Sequence, residues 1–381
     1  MAVSPFAFYR GAAAIMAADL GPLPTSGLQV QVCGDAHLLN LGAYAAPDGH
    51  LVFDLDDFDE TCRGPFKWDL KRLAASFAIA CRDVGYTDKA CGAAVRRMVR
   101  AYRDSLALLS EMRVLELAQF EITPRATGTP LAPIFEHAAR DTPRNLLKKV
   151  TSPDRDGFAE FQSRPPLLAP LRAAEAKRVL ESLATYRMTL APSRQQVLDA
   201  YAPRDLAFKV AGIGSVGVEA YLVLLFGNGP GDPLFLQLKE EDPSCWSPYL
   251  RSSKSYARRD PHDGRRAAEG QFRAQTWSDL FLGWTQASSK TFLVRQWSDH
   301  GSTLELSMLT KDVLDDFSAL CGRVLAKAHA RTGDAAMLSG YCGSNDRLDA
   351  ALAKFALSYA DQAESDHACF RKAIKAGQIR A

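Results

Sequence analysis

No apolar run in this sequence approaches the length of a membrane span; the best candidate is Ala220–Phe226. A bilayer-crossing helix needs about 20 apolar residues, so no membrane partner is expected. No basic region precedes an apolar stretch at the N-terminus, and Arg10 interrupts the first segment, so no signal peptide is read there and a cytoplasmic location is expected. Charge of one sign is missing too. Lys and Arg number 46 against 44 Asp and Glu, and the net charge of +2 does not advertise a nucleic-acid partner. The eight cysteines (Cys33, Cys62, Cys81, Cys91, Cys245, Cys321, Cys342 and Cys369) contain no C-x-x-C pair, and no Cys/His cluster has zinc spacing. They read as reduced thiols rather than a disulfide framework or a structural metal site. Internal repeats and low-complexity tracts are also absent.

What remains is a chain of 381 residues, 47% hydrophobic, long enough for one large domain or two to three smaller ones. Its 24% charged residues exclude wholesale disorder. Phe6–Leu20 is helical in pattern, and Leu28–Cys33 alternates like a short strand. Leu41–Ala45 and His50–Leu55 flank Pro47-Asp48-Gly49 and predict a hairpin. Trp68 to about Leu109 predicts helix with breaks near Gly85 and Gly92, residues 122–170 predict loops with short helices, and Lys177–Ala200 predicts helix. From Tyr201 the character changes. Leu206–Val210, Val218–Phe226 and Leu234–Lys239 predict strands, Arg266–Trp284 a helix, and Thr291–Trp297 and Thr303–Met308 strands joined at His300-Gly301. Lys311 to the end is helical. Elements grouped in this way make an α+β fold rather than alternating βαβ.

Two constellations carry chemistry. In the first, Cys33-Gly34-Asp35-Ala36-His37-Leu38-Leu39-Asn40 leads through the hairpin to Asp54-Leu55-Asp56-Asp57-Phe58-Asp59-Glu60. Carboxylates that close repel one another and must be solvated or bound to a cation. An Asp after a strand, an Asn five residues on, and a returning hairpin that ends in Asp-Phe-Asp form the layout of a phosphoryl-transfer site. Asp35 is the candidate base for an acceptor hydroxyl, and Asn40 with a carboxylate would hold Mg²⁺ against phosphates. Asp57 is the preferred second ligand. Asp54 and Asp59 are alternatives, and Asp56 matches the spacing counted from Gly49. His37 is read as shaping the loop.

In the second, Gly212-Ile213-Gly214-Ser215-Val216-Gly217 lies between two strands, where backbone N–H groups can cover nucleotide phosphates. Gly212, Gly214, Ser215, Val216 and Gly217 are therefore candidate ATP contacts. The next strand ends in Lys239, the candidate phosphate-binding lysine, and Glu269 on the following helix is its candidate partner. Arg251, Lys254, Arg258, Arg259, Arg265 and Arg266 form a basic stretch that reads as a solvated loop. Arg10 and Arg295 are candidate anion contacts.

The first constellation resembles the Gly-Asp-x-His-x-x-Asn … Asp-Phe-Asp pattern of aminoglycoside and choline kinases. Gly64–Leu70 resembles their Gly-Asp-Pro-x-Trp-Asp-Leu segment, and that resemblance implies that Asp69 braces the catalytic loop through backbone hydrogen bonds. Val324–Ala330 resembles the Leu-Ala-x-Leu-His that precedes Gly-Asp-x-His in those enzymes, yet here it comes near the end of the chain. The motif order is thus exchanged, as a circular permutation would leave it.

Along nearly the whole chain, Ser4–Gly11, Cys33–His37, Asp57–Glu60, Trp68–Ser76, Gly212–Gly217, Leu236–Glu240, Glu269-Gly270-Gln271, Val294-Arg295-Gln296 and Tyr359–Gln362 are similar to the bacterial domain of unknown function 2252 family. That resemblance implies a two-lobed, protein-kinase-like fold. Residues 201–310 would form the sheet lobe, and residues 1–200 and 311–381 the helical one. The short Gly-Asp-x-His motif, similar to that of small-molecule kinases, implies ATP- and Mg²⁺-dependent phosphoryl transfer to a small molecule. AMP transfer on the same fold, or a noncatalytic nucleotide-binding module, are the alternatives.

Overall fold

The computed structural model describes residues 1–127, 129–165, 167–210, 217–250, 262–297 and 301–379. Helices and antiparallel strands fall in separate stretches of the chain, a mixed α+β arrangement. Among the described residues no helix is long and apolar enough to cross a membrane.

Four long helices organise the larger core: Lys67–Asp83, Asp88–Ser110, Lys311–Thr332 and Arg347–Lys375. Thr87 and Thr310 cap two of them, each hydroxyl accepting from a backbone N–H one turn in (Ala90, 3.4 Å; Val313, 3.5 Å). Lys311–Thr332 lies along Asp88–Ser110 so closely that a Cβ on Gly322 would sit 2.1 Å from the Met98 carbonyl oxygen. Arg347–Lys375 packs on both Lys67–Asp83 and Asp88–Ser110. Residues from the first third of the chain and from the last seventy residues therefore share one apolar core, with Phe66, Phe77, Tyr102 and Phe317 at its centre. Burying each of these rings contributes roughly 1.5–3 kcal/mol. The helical stretch breaks near Gly85 as expected. At Gly92 it does not break: the residue lies inside Asp88–Ser110, facing Leu357.

The second core belongs to a six-stranded antiparallel sheet in the order Gly283–Ala287, Lys290–Gln296, Pro233–Glu240, Ala220–Phe226, Ala202–Lys209 and Leu168–Pro170. Alternation along Pro233–Glu240 sorts its side chains. Leu234, Leu236 and Leu238 pack with Tyr186 and Val179 of helix Ala173–Arg187, while Phe235 belongs to a separate cluster with Leu146 and Phe226. Gln237 and Lys239 share the Phe235 side of the strand.

Leu168–Pro170, in a stretch expected as loops with short helices, is an edge strand of this sheet, and two further elements differ from the sequence expectation. The helix expected over Arg266–Trp284 is Asp263–Ala274, followed by the strand Gly283–Ala287. Phe281, Leu282 and Trp284 continue an apolar spacing that suits a helix, but Asp279 accepts the Phe281 and Gln296 N–H groups (2.8 and 2.5 Å) and turns the chain into the sheet. The strand expected over Thr303–Met308 is only Ser302–Thr303. It pairs not with Lys290–Gln296 but with Leu41–Ala45, in register Ser302↔Ala43. His300 of the expected turn lies outside the described residues.

Candidate functional site

Strand Gln29–Val32 pairs antiparallel with Cys62–Pro65, and between them runs the hairpin Leu41–Ala45/Leu51–Leu55. This arrangement sets the loops 33–40 and 56–61 side by side, tied by the Asp56 N–H donating to the Asn40 carbonyl oxygen (3.0 Å). Gly34 turns the first loop with φ +85°, and a Cβ there would meet the Glu60 carbonyl oxygen at 2.1 Å. From helix Lys67–Asp83, the Asp69 carboxylate accepts both the Cys33 and Gly34 N–H groups (2.8 and 2.9 Å). His329, on Lys311–Thr332, sits 3.4 Å from the same carboxylate. Asp69 thus braces the loop through its backbone. Ser76 accepts the Leu38 N–H (3.2 Å), and the Trp246 indole donates to the Gly34 carbonyl oxygen (2.8 Å).

Asp35 faces Arg72, a fully buried guanidinium whose Nε donates to its carboxylate. Tyr9 holds Arg72 from the other side. The Arg72 side chain donates to the Tyr9 carbonyl oxygen (3.0 Å), and the guanidinium lies 4.3 Å from the Tyr9 ring centre. The Ser4–Gly11 segment therefore bears on the loop through Arg72, a link the sequence reading missed. Its signal was available: Arg72 is one helical turn beyond Asp69, on the same face. The Asn40 amide nitrogen donates to the Asp35 carbonyl oxygen (2.9 Å), which leaves Oδ1 as its ligand atom.

The expected cluster around the acidic run divides. Asp57 and Asp59 face Lys239, which donates to Asp59 and lies 3.8 Å from Asp57. Burial alone would raise Asp57, but Lys239, a hydrogen bond with Asp59 and Arg295 hold it well below the usual carboxylate range. Asp59 goes the other way, raised by burial and by Asp57 beside it. Burial opposes the Lys239 charge, yet Asp57, Asp59 and Glu241 outweigh it and raise its pKa. Asp56 is held by Arg295, whose guanidinium donates to its carbonyl oxygen (3.0 Å). Asp54 points elsewhere, into a buried ion pair with Lys327.

Glu269 does not meet Lys239. It pairs along its own helix with Arg265 and Arg273 (2.7 and 2.8 Å), four residues before and after it. The acid beside Lys239 beyond the Asp-Phe-Asp segment is Glu241, two residues further along the chain and buried; burial raises its pKa, opposed by Lys239 and by Arg266 of the same helix as Glu269. Gly212, Gly214, Ser215 and Val216 lie outside the described residues, as do Arg251, Lys254, Arg258 and Arg259; Gly217 is described, with φ +97°.

Among the described residues no group of three or more His, Cys, Asp or Glu side chains is arranged to hold a metal ion. Mg²⁺ is commonly held by one or two carboxylates plus phosphate oxygens and water. Asn40 Oδ1 and the Asp57 carboxylate are oxygens that can serve such an ion, whereas Asp54 is committed to a buried pair with Lys327.

His37 is buried and accepts the Leu39 N–H through Nδ1 (3.2 Å). Burial lowers its pKa to about 4, with Arg72 and Arg10 adding to the shift and Asp35 opposing it. The folded state holds it neutral, so its contribution to stability is full above pH ~6.5 and drains as pH falls toward 4. Wild type is expected to lose about 2 kcal/mol more than His37→Gln between pH 7 and 4.5, read by urea unfolding at both values. Equal losses would show that His37 is not held neutral.

Among curated proteins and among solved structures nothing matches this chain. Residues 1–373 match a family model described as an uncharacterized protein conserved in bacteria, DUF2252, and the chain belongs to that family.

Proposed function

We propose that the chain is an ATP- and Mg²⁺-dependent phosphotransferase with a circularly permuted, protein-kinase-like arrangement, acting on a small molecule. The observation that carries this reading is Lys239, near the end of a sheet strand, facing Asp57 and Asp59 on the loop that closes the hairpin. In phosphoryl transfer to a hydroxyl, a lysine meets the phosphates, an amide and a carboxylate hold the metal, and a second carboxylate takes the acceptor proton. Lys239, Asn40 with Asp57, and Asp35 fill those roles. Bound Mg²⁺ would neutralise phosphate charge as the bond to the leaving oxygen breaks. The strand order supports the reading, because Ala202–Lys209, Ala220–Phe226 and Pro233–Glu240 adjoin in sequence order, with Lys239 on the last of these three.

The test is titration of purified protein with Mg²⁺-ATP, followed by nucleotide product analysis against a metabolite panel. Lys239→Ala is expected to weaken Mg²⁺-ATP binding by about 10-fold or more, since it removes a charged contact to phosphate. Chelating the metal should weaken binding in wild type, and Asp57→Asn should blunt that dependence. ADP as product supports the proposal. AMP would replace it with nucleotidyl transfer, and tight binding with no product would make the chain a nucleotide-binding module. Undiminished binding by Lys239→Ala would remove the lysine from the phosphate site.

A further inference from the structure

A cavity of about 780 Å³ opens beside this site, between the sheet, the hairpin tip and helix Pro143–Val150. Tyr44, Asp56, Lys209, Gln237, Arg295 and Trp297 are among its walls. Its size suits a small molecule. Most of its charged groups are already satisfied. Arg295 is held by Asp56, Arg144 donates to the Gly231 carbonyl oxygen (3.1 Å), and Asp232 accepts from Tyr201 (3.3 Å) and the Asn228 N–H (3.0 Å). Asp279 accepts two backbone N–H groups.

Lys209 is different. It ends strand Ala202–Lys209 with its ammonium 5.1 Å from the Trp297 ring centre, and among the described residues no carboxylate pairs with it. Burial, Arg295 and Lys239 together pull its pKa down to about 8. A half-buried cation repelled by two others gains from an anion brought in from solution. Register separates it from the phosphate lysine: Lys239 pairs with Ala220, and Phe208 pairs with Tyr221, so Lys209 is two strands away. Two strand spacings put the backbones roughly 10 Å apart.

We propose that this cavity binds a small organic anion, a carboxylate or a phosphate ester, and that Lys209 is the residue that reads its charge. Trp297 supplies an apolar wall for the carbon skeleton, and Gln237 supplies an amide at the cavity wall. This subsite is distinct from the contact of Lys239 with nucleotide phosphates. It does not depend on phosphoryl transfer, so its test omits both ATP and Mg²⁺.

Two probes are titrated calorimetrically, glycerol 3-phosphate for the phosphate esters and succinate for the carboxylates. At least one is expected to bind wild type, with Lys209→Gln weakening it about 10-fold or more and Lys209→Arg staying within about 3-fold of wild type. Lys239→Ala, which removes one of the two cations that repel Lys209, should retain probe binding, with any change smaller than that of Lys209→Gln. Whichever probe responds identifies the ligand class.

Wild-type protein gives a second readout that needs no variant. Pyridoxal 5′-phosphate carries an anion and an aldehyde. The neutral Lys209 amine adds to the aldehyde, water leaves as the imine forms, and borohydride delivers hydride to the imine carbon while solvent protonates the nitrogen. Peptide mapping is expected to find Lys209 labelled first, and the bound probe should slow that labelling. The proposal is overturned if neither probe binds at millimolar concentration, if Lys209→Gln binds as wild type does, or if the affinity is lost in Lys239→Ala instead.

Discussion

Asp35→Asn is expected to lower turnover by roughly 100-fold or more while Mg²⁺-ATP affinity stays within about 3-fold of wild type. On the proposed reading the Asp35 carboxylate takes the acceptor proton; His37, the other candidate on the braced loop, is buried and ties Nδ1 to the Leu39 N–H. Asparagine keeps an oxygen for the Arg72 Nε but removes the charge, and Arg72 is fully buried. Removing one member of such a pair costs about 3–5 kcal/mol, so lost stability and lost chemistry must be separated. The double variant Asp35→Asn/Arg72→Met removes both charges. It should recover much of the stability lost by the single variant and none of its turnover. Full activity in Asp35→Asn would end the base assignment. Activity restored in the double variant would make Asp35 a structural counter-ion to Arg72.

What was legible in the sequence was local. Asp35, Asn40 and Asp57 lie within one strand–loop–hairpin unit, and the Asp56 to Asn40 backbone bond sets its two loops side by side without long-range folding. Asp69 was legible through its place in a helix-opening motif. The missed features are set by partners distant in sequence or by competition within one element. Glu269 has the right position for Lys239, but cations four residues away on either side claim it first. Ser302–Thr303 is too short to reveal its pairing, which depends on the hairpin near the start of the chain reaching it. Lys209 carries no motif at all. It stands out because it ends Ala202–Lys209 within reach of two other cations, Lys239 of Pro233–Glu240 and Arg295 of Lys290–Gln296.

Lys327→Met is expected to destabilise the fold by about 3–5 kcal/mol, a large share of the ~5–15 kcal/mol that holds a typical domain together. Lys327 on Lys311–Thr332 and Asp54 at the end of the hairpin are 273 residues apart in sequence, and both are almost wholly buried. The Leu55 N–H donates to the second Asp54 oxygen (2.9 Å), and Thr276 stands 3.4 Å from the Lys327 ammonium. Burial lowers the Lys327 pKa and Asp54 works against that shift. Because the folded value lies below 10.5, the fold carries a penalty at neutral pH that is relieved as pH rises through the interval up to 10.5. Lys327→Met removes that pH dependence but strands the Asp54 carboxylate in the core. Adding Asp54→Leu, which buries a hydrophobic side chain in place of the charge, should return most of the loss. Denaturant unfolding of wild type, both single variants and the double variant measures this coupling. Asp54→Asn should also leave the metal dependence of nucleotide binding unchanged, in contrast to Asp57→Asn. An Asp54→Asn protein with full stability and weakened Mg²⁺-dependent binding would move Asp54 from the helix–hairpin joint to the metal site.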